Sequence, residues 1–142
     1  MIIHSLSQLD PEEYYTWNDY KMWNFKERVE LIMGKLFPMS PGASARHQEC
    51  SLKITGQFLP QLGKNKCRLF YAPFDLVLNG PSGKNDSVVQ PDLLISCEPE
   101  QIKYNACIGA PHLIVEILSK FSVERDLKEK YKLYEFNKVK EY

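Results

Sequence analysis

The sequence predicts an α/β (or α+β) fold in which helices flank a mixed β-sheet, and two observations support this class. Residues 113–118, Leu-Ile-Val-Glu-Ile-Leu, are apolar at both odd and even positions, which is typical of a central strand covered on both faces. Amphipathic helical patterns precede and follow this run, at about 44–62 and about 122–137. A two-sided strand between such helices indicates a layered architecture.

The N-terminal part predicts a helix followed by a hairpin. Residues 10–23 suit a short helix, because Asp10 can cap it and Pro11 is compatible with its first turn. Residues 28–36 predict a hairpin with Gly34 at or near the turn. A loop over residues 39–44 then leads into the core.

The core predicts the order helix, three strands, helix, strand. Its first helix carries four side chains on one stripe, Cys50, Ile54, Phe58 and Leu62. Strands are predicted at 69–78, 88–96 and 111–119, a second helix from Ser122 to about Asn137, and an extended segment from Val139. We therefore expect one domain over residues 1–142, with the N-terminal helix and hairpin in 1–40 and the core in 41–142.

Composition limits the classes of protein. The 142 residues are 44% hydrophobic and 25% charged, which is ordinary for a globular protein. A signal-peptide pattern and a membrane-length apolar run are both absent, so we expect a cytoplasmic protein without membrane contact. Four cysteines without a C-x-x-C pair predict reduced thiols. Lys+Arg and Asp+Glu both number 18, and this neutral balance neither requires nor excludes a nucleic-acid partner.

Two carboxylates are the candidate ligands of a metal ion. Glu116 interrupts an apolar strand, where an unpaired carboxylate would cost several kcal/mol or keep its proton, so a cation should lie against it. Asp92 follows Pro91 at the start of the preceding strand, and neighbouring strands would bring both side chains to one notch. Oxygen ligands of this kind suit Mg²⁺ or Mn²⁺. The alternative is a single buried ion pair with Lys or Arg.

Three stretches resemble one known family. They are Gln-Pro-Asp-Leu-Leu-Ile at 90–95, Pro-His-Leu-Ile-Val-Glu-Ile-Leu-Ser at 111–119, and 125–134 with its Arg-Asp, Lys130 and Tyr134. In this order they resemble the Uma2 family of putative restriction endonucleases, as do Glu30, Gly34, Leu36, Met39-Ser40-Pro41 and His47 upstream. The resemblance covers about residues 28–142. It implies a restriction-endonuclease-like PD-(D/E)XK fold, in which an aspartate and a glutamate hold Mg²⁺ and a lysine assists phosphodiester hydrolysis.

The position of the lysine departs from the usual nuclease pattern. That pattern places it two residues after the glutamate, where this chain has Leu118. Family members also tend to carry aspartate and proline where this chain has His112 and Lys120. Another lysine must therefore serve if the site is active.

Two lysines are candidates for this role. On the second helix, Val123, Leu127, Tyr131 and Tyr134 form one stripe. Lys130 lies roughly 60° from the centre of that stripe and leans toward the sheet. Lys120 shares strand parity with Glu116 but lies past the predicted strand end. We prefer Lys130, because the resemblance includes a helical Asp-x-x-x-Lys; its alternative is a surface salt bridge with Asp126.

Three further residues are possible additions to the site. Glu30 either supplies a third carboxylate or pairs with Arg28 in the hairpin. His47 leans toward the inner face of its helix, where it is a core histidine or a site residue. Asp75 either lies near the site or ends a strand.

The resemblance implies a Mg²⁺- or Mn²⁺-dependent endonuclease that cleaves DNA, with RNA not excluded. The main alternative is a catalytically silent protein of the same fold that acts as a binding module or is a truncated remnant. Family members continue for a few dozen residues past the position of Tyr142. We therefore expect a C-terminally incomplete domain with an uncovered sheet edge near Val139, and with it a homodimer or a weakly active fragment.

Overall fold

The computed structural model describes residues 1–40 and 42–142, and Pro41, in the predicted loop before the core, lies outside the described residues. The strands are β1 (Val29–Ile32), β2 (Lys35–Pro38), β3 (Arg68–Tyr71), β4 (Asp75–Leu78), β5 (Ser87–Val89), β6 (Leu93–Ser96), β7 (Ile102–Lys103), β8 (Ala106–Ile108) and β9 (Leu113–Val115). The helices are α1 (Trp17–Tyr20), α2 (Ala45–Leu62), α3 (Val123–Arg125), a π-helical turn (Asp126–Lys130) and α4 (Tyr131–Phe136), with short 3₁₀ turns at Leu6–Gln8 and Pro99–Gln101.

The strands form two sheets. One has the order β2-β1-β5-β4-β8-β7 and the other β3-β6-β9. The β4–β8 pair is parallel and the other named pairs are antiparallel. The predicted α/β class with a mixed sheet flanked by helices is therefore confirmed.

Two of the predicted strands are each divided between these sheets. The stretch 69–78 breaks at the cis Ala72-Pro73 bond into β3 and β4, and the stretch 88–96 breaks at Gln90-Pro91-Asp92 into β5 and β6. Because β4 pairs with β5 and β3 with β6, the two chains bend together and pass from one sheet to the other. Proline ends each first half because it lacks the N–H that a ladder needs. The bend brings Asp92 to the start of a strand.

The N-terminal hairpin is confirmed, whereas the helix over 10–23 is wrong. Met33 and Gly34 turn the hairpin with φ of 49° and 82°, as a tight primed turn requires. Of the predicted helix only α1 forms. The backbone N–H of Tyr15 donates to Gly34 O (3.0 Å) and that of Trp17 to Asn85 O (2.7 Å), so tertiary pairing replaces helical hydrogen bonds.

Helix α2 begins where predicted, because the Ser44 side chain accepts a hydrogen bond from His47 N–H. Ile54, Phe58 and Leu62 are half-buried, but Cys50 is exposed and the predicted stripe is wrong at that residue. The helix packs on β3 with a partly polar face to which His47 belongs.

Residues 123–136 run through α3, the π-helical turn and α4, and we call them the C-terminal helix. The predicted stripe of this helix is wrong at three positions, since Val123, Leu127 and Tyr131 are 37%, 58% and 50% exposed. The buried side chains are instead Asp126, Lys130, Leu133 and Tyr134. Polar groups occupy the first half of this buried face because they contact charged partners there.

The predicted strand at 111–119 is shorter in the structure, and β9 lies at one end of the three-stranded sheet instead of at its centre. β9 pairs with β6 on one side, and on its other side Leu113 makes an isolated bridge to Glu141. Ile114 N–H donates to Glu141 O at 3.0 Å, so the extended segment after Val139 does lie beside β9. Glu116 therefore follows the strand instead of standing inside it.

The expectation of four reduced cysteines is wrong. Cys67 and Cys97 form a disulfide, while Cys50 and Cys107 are free. The β3–β6 register explains the bond, because Arg68 faces Ser96 and the next pair outward is Cys67 and Cys97. Within the described ranges, no helix has the length and hydrophobicity needed to cross a membrane.

Candidate active site

Asp92 and Glu116 lie opposite each other at the ends of two paired strands. Asp92 precedes β6 and Glu116 follows β9, and the antiparallel register of Leu93 with Val115 makes them the next opposed pair. Opposed residues of antiparallel strands project to the same face. The Asp92 carboxylate reaches across, and its Oδ2 accepts a hydrogen bond of 2.6 Å from Ile117 N–H.

Lys130 places its ammonium among three carboxylates. Its Nζ lies 2.8 Å from Glu116 Oε1, 2.8 Å from Glu30 Oε2 and 3.7 Å from Asp126 Oδ1. The Lys130 side chain is only 3% exposed. Its inward direction agrees with its predicted lean toward the sheet, and the contact with Asp126 is the weakest of the three.

Glu30 is held from several sides in the middle of β1. Its Oε2 accepts a hydrogen bond of 2.8 Å from Gln90 N–H as well as the contact from Lys130. Arg125 Nη1 lies 3.5 Å from Glu30 Oε1, while Arg125 Nη2 donates to Pro38 O at 2.8 Å. Arg28, the partner considered from the sequence, donates to Gln90 Oε1 instead. Glu30 thus joins the N-terminal hairpin to the C-terminal helix.

Glu116 is bound through one of its two oxygens. Tyr134 O–H donates to Oε1 at 2.7 Å, and Lys130 donates to the same atom. No described residue donates to Oε2, and that atom is not sealed from solvent. One carboxylate oxygen is therefore saturated and the other is available.

His47 approaches the site from α2. Its Nε2 lies 3.2 Å from Asp92 Oδ1, and both side chains are about one-fifth exposed. The sequence left His47 as either a core histidine or a site residue, and the structure places it beside the candidate metal ligand Asp92. The Ser44 side chain accepts a hydrogen bond from His47 N–H, which fixes the backbone of His47 in the first turn of α2.

Asp75 and Lys120 lie outside this central group. Asp75 begins β4 and accepts hydrogen bonds from Gln90 Nε2 (2.9 Å) and Tyr20 O–H (3.4 Å), so it reaches the site only through Gln90. Lys120 is exposed, as is Leu118, which stands at the usual lysine position. The structure thus brings Lys130 to the carboxylates and leaves Lys120 away from them.

Burial and charge shift the pKa values of the site residues. Burial raises the pKa of Glu116 to about 8, against the opposing effect of Lys130. Burial likewise raises the pKa of Asp92, although Ile117 N–H and His47 partly offset this. Burial lowers the pKa of Lys130, but Glu116 and Glu30 together raise it above its ordinary value. The ammonium of Lys130 therefore stays charged, while the carboxyl groups of Glu116 and Asp92 ionise less readily than usual.

The formal charges leave a deficit of positive charge. Four carboxylates, those of Glu30, Asp92, Glu116 and Asp126, face two permanent cations, Lys130 and Arg125. An added divalent cation would balance this set, and protons taken up by the carboxyl groups are the other means of doing so.

The donor set fits a magnesium-type ion. No group of three or more His, Cys, Asp or Glu side chains is arranged to hold a metal within residues 1–40 and 42–142. Mg²⁺ commonly takes one or two carboxylates and keeps several waters, so two ligands suffice. Asp92 and the available Oε2 of Glu116 would hold it, and since burial raises the pKa of Glu116, a cation there would favour its ionised form.

Three contributors were missed as functional residues from the sequence. Arg125 and Tyr134 stand in the motif that carried the resemblance, but helical periodicity assigned Tyr134 to an apolar stripe and gave Arg125 no partner. Gln90 contributes its backbone N–H to Glu30 and its side-chain amide to Asp75. The signal that could have identified them is the presence of polar side chains on a buried helix face or at a strand bend.

Comparisons with known proteins point to one family. The family model described as Uma2, "Putative restriction endonuclease", matches residues 11–142. An uncharacterized protein of Synechocystis sp. is 30% identical over 141 residues, covering 96% of this chain and 70% of the relative. A crystal structure of a putative nuclease belonging to DUF820 from Anabaena variabilis is similar with a TM-score of 0.51 and 20% identity, over 79% of this chain and 65% of that one.

The structural match shows that the fold is shared with that nuclease-like protein, and this chain spans just under two thirds of its length. The family-model match extends over nearly the whole chain and includes every residue of the site described above. The chain therefore belongs to the Uma2 family of putative restriction endonucleases.

Proposed function

We propose that this protein is a Mg²⁺- or Mn²⁺-dependent endonuclease that hydrolyses phosphodiester bonds of DNA. The observation that carries the proposal is the convergence of Asp92, Glu116 and Lys130 at the β6–β9 strand ends. Two carboxylates with an adjacent buried ammonium supply ligands for a divalent cation and a fixed positive charge. Membership of the family supports nuclease chemistry for this arrangement.

The chemistry divides between the ion and the protein. A bound divalent ion lowers the pKa of a coordinated water and offsets charge on the phosphoryl group. Asp92 and Glu116 would fix its position. Lys130 remains protonated, since Glu116 and Glu30 raise its pKa, so it acts by charge and orientation and does not deprotonate water. His47, beside Asp92 Oδ1, would fix the orientation of that carboxylate.

One observation favours a catalytically silent binding module instead. Asp92 already has His47 and Ile117 N–H as partners, and Glu116 has Lys130 and Tyr134. Such a network can serve stability alone. We prefer the enzyme because Oε2 of Glu116 is available and the charges of the site are unbalanced.

A cleavage assay tests the proposal. Supercoiled DNA, linear DNA and single-stranded RNA are incubated with the protein and Mg²⁺ or Mn²⁺, with EDTA as the blank. We expect DNA cleavage that EDTA abolishes and that Asp92→Asn and Glu116→Gln each reduce at least about 100-fold. Lys128→Ala, which changes an exposed lysine of the same helix, is the matched control and should cleave like the wild type. Cleavage that survives both substitutions would point to a contaminant or another site, and absence of cleavage on every substrate would favour the binding module.

A further inference from the structure

Tyr134 has a buried hydroxyl group that ends on the candidate metal ligand. The side chain is 1% exposed and belongs to the main core cluster, together with Ile114 and Leu133. A buried phenol needs a hydrogen-bond acceptor, and Glu116 Oε1 at 2.7 Å supplies it. An apolar ring at this place would fill the core equally well, so the hydroxyl group requires an explanation other than packing.

The hydroxyl of Tyr134 and the ammonium of Lys130 converge on the same atom. The two residues are four positions apart on the C-terminal helix, and both donate to Glu116 Oε1. Glu116 itself follows the three-residue strand β9, so the strand ladder does not fix its side chain. Two donors from one helix fix the rotation of the carboxylate and leave Oε2 without a donor.

We propose that Tyr134 is a positioning residue that, with Lys130, orients the Glu116 carboxylate so that Oε2 faces a divalent cation. This inference rests on the proposed function, since it assigns a partner to the metal ligand of that site. A neutral donor suits the task because it fixes the carboxylate without cancelling the charge that attracts the ion. Hydrogen-bond partners of metal ligands typically contribute 10- to 100-fold to metal affinity.

The test measures Mn²⁺ affinity by isothermal titration calorimetry without nucleic acid. We expect Tyr134→Phe to weaken Mn²⁺ binding about 10- to 100-fold while the thermal transition of the metal-free protein stays cooperative. Tyr131→Phe is the matched control, because Tyr131 begins the same helical turn and its ring is 50% exposed. It should bind Mn²⁺ like the wild type. Replacing Tyr134 with 4-aminophenylalanine, which retains an N–H donor, should restore part of the loss.

Each outcome decides a separate claim. Wild-type affinity in Tyr134→Phe, with binding abolished by Asp92→Asn, would overturn the role of Tyr134 and leave the metal site intact. Binding unaffected by Asp92→Asn would instead remove the proposed site itself. If Tyr134→Phe does not fold, 4-fluorophenylalanine at this position fills the space of the hydroxyl without donating a proton. Unchanged Mn²⁺ affinity in that variant would equally overturn the proposal.

Discussion

At the scale of single residues, Lys130 forms buried ion pairs that hold together the carboxylates of the site. Its ammonium has two carboxylate contacts at 2.8 Å in a place that solvent hardly reaches. Removing one partner of a buried pair leaves an uncompensated charge, which is far more costly than losing a surface pair. Lys130 therefore affects both stability and any chemistry at Glu116.

Lys130→Met should destabilise the protein by about 3–5 kcal/mol at pH 8, because Glu30 and Glu116 lose their cation. Without that cation the folded-state pKa of Glu116, which burial already raises, moves further above its unfolded value. Protonation then stabilises the fold at low pH and is lost as the pH rises, so the penalty should be smaller at pH 5. Urea unfolding at both pH values measures this. Lys128→Met, at an exposed position of the same helix, should change little, and equal losses in the two variants would contradict the account.

The pKa of Glu116 predicts how metal affinity depends on pH. Because its carboxyl group ionises near pH 8, binding below that pH must displace a proton. Mn²⁺ affinity should therefore rise between pH 6 and 8, by up to about tenfold per pH unit, and level off above. Calorimetry in buffers of different ionisation enthalpy would detect the released proton. In Glu116→Gln the remaining affinity should lose this pH dependence, and a flat profile in the wild type would contradict the assignment.

At the scale of elements, the hairpin between β1 and β2 depends on its glycine. Gly34 has a φ of 82°, and a β-carbon there would collide with the Tyr14 ring, whose hydroxyl donates to the buried Asp86. Gly34→Ala should therefore lose at least about 1–2 kcal/mol from backbone strain alone. Gly56→Ala in α2 meets open space and should gain about 0.5–1 kcal/mol. Denaturation curves that show equal effects would show that the turn is not strained.

The elements show which parts of the fold the sequence could predict. The hairpin and α2 followed from local signals, a turn glycine and the Ser44 cap, and the structure confirms both. The division of two predicted strands at Ala72-Pro73 and Gln90-Pro91 was not predicted, because in each case one β-rich run continues from one sheet into the other. Residues 10–23 have helical signals, but their backbone pairs with Gly34 and Asn85 instead, which local sequence cannot reveal.

The candidate site was predictable to a different extent. Asp92 and Glu116 were expected to face each other if their strands were neighbours, and β6 and β9 do pair. Lys130 was preferred because of the resemblance, whereas the helical stripe from which its lean was measured is wrong at three positions. The actual buried face of that helix was missed because its first half is polar. A polar face is recognisable as buried only once its partners Glu30 and Glu116 are placed against it.

At the scale of the whole molecule, the disulfide ties the outer end of the β3–β6 pair. Cys67 and Cys97 are 30 positions apart in the sequence, and the segment between them contains both strand bends. A loop of this length predicts a contribution on the order of 3–4 kcal/mol. Cys67→Ser with Cys97→Ser should therefore lower the unfolding free energy by that amount, and dithiothreitol should lower the melting temperature of the wild type only. Four free thiols in the untreated protein by mass spectrometry would contradict the bond.

The surface of the C-terminal helix bears on the association state of the protein. Leu127 and Tyr131 leave apolar area exposed on the C-terminal helix, and Phe121 lies just before it at 75% exposure. Val139, in contrast, is half-buried against the core. The homodimer expected from the sequence stays a prediction, and the molecular mass in solution tests it.

The proposed metal site requires Asp92 and Glu116 to share one divalent cation beside Lys130. A crystal of the protein soaked in Mn²⁺ and measured for anomalous scattering tests this most directly, because the ion is located without reference to activity. We predict one strong peak within coordination distance, about 2.0–2.3 Å, of an Asp92 oxygen and Glu116 Oε2, with waters completing the shell. A fully soaked crystal with no peak between these carboxylates, and with Lys130 still bridging Glu30 and Glu116, would contradict the account.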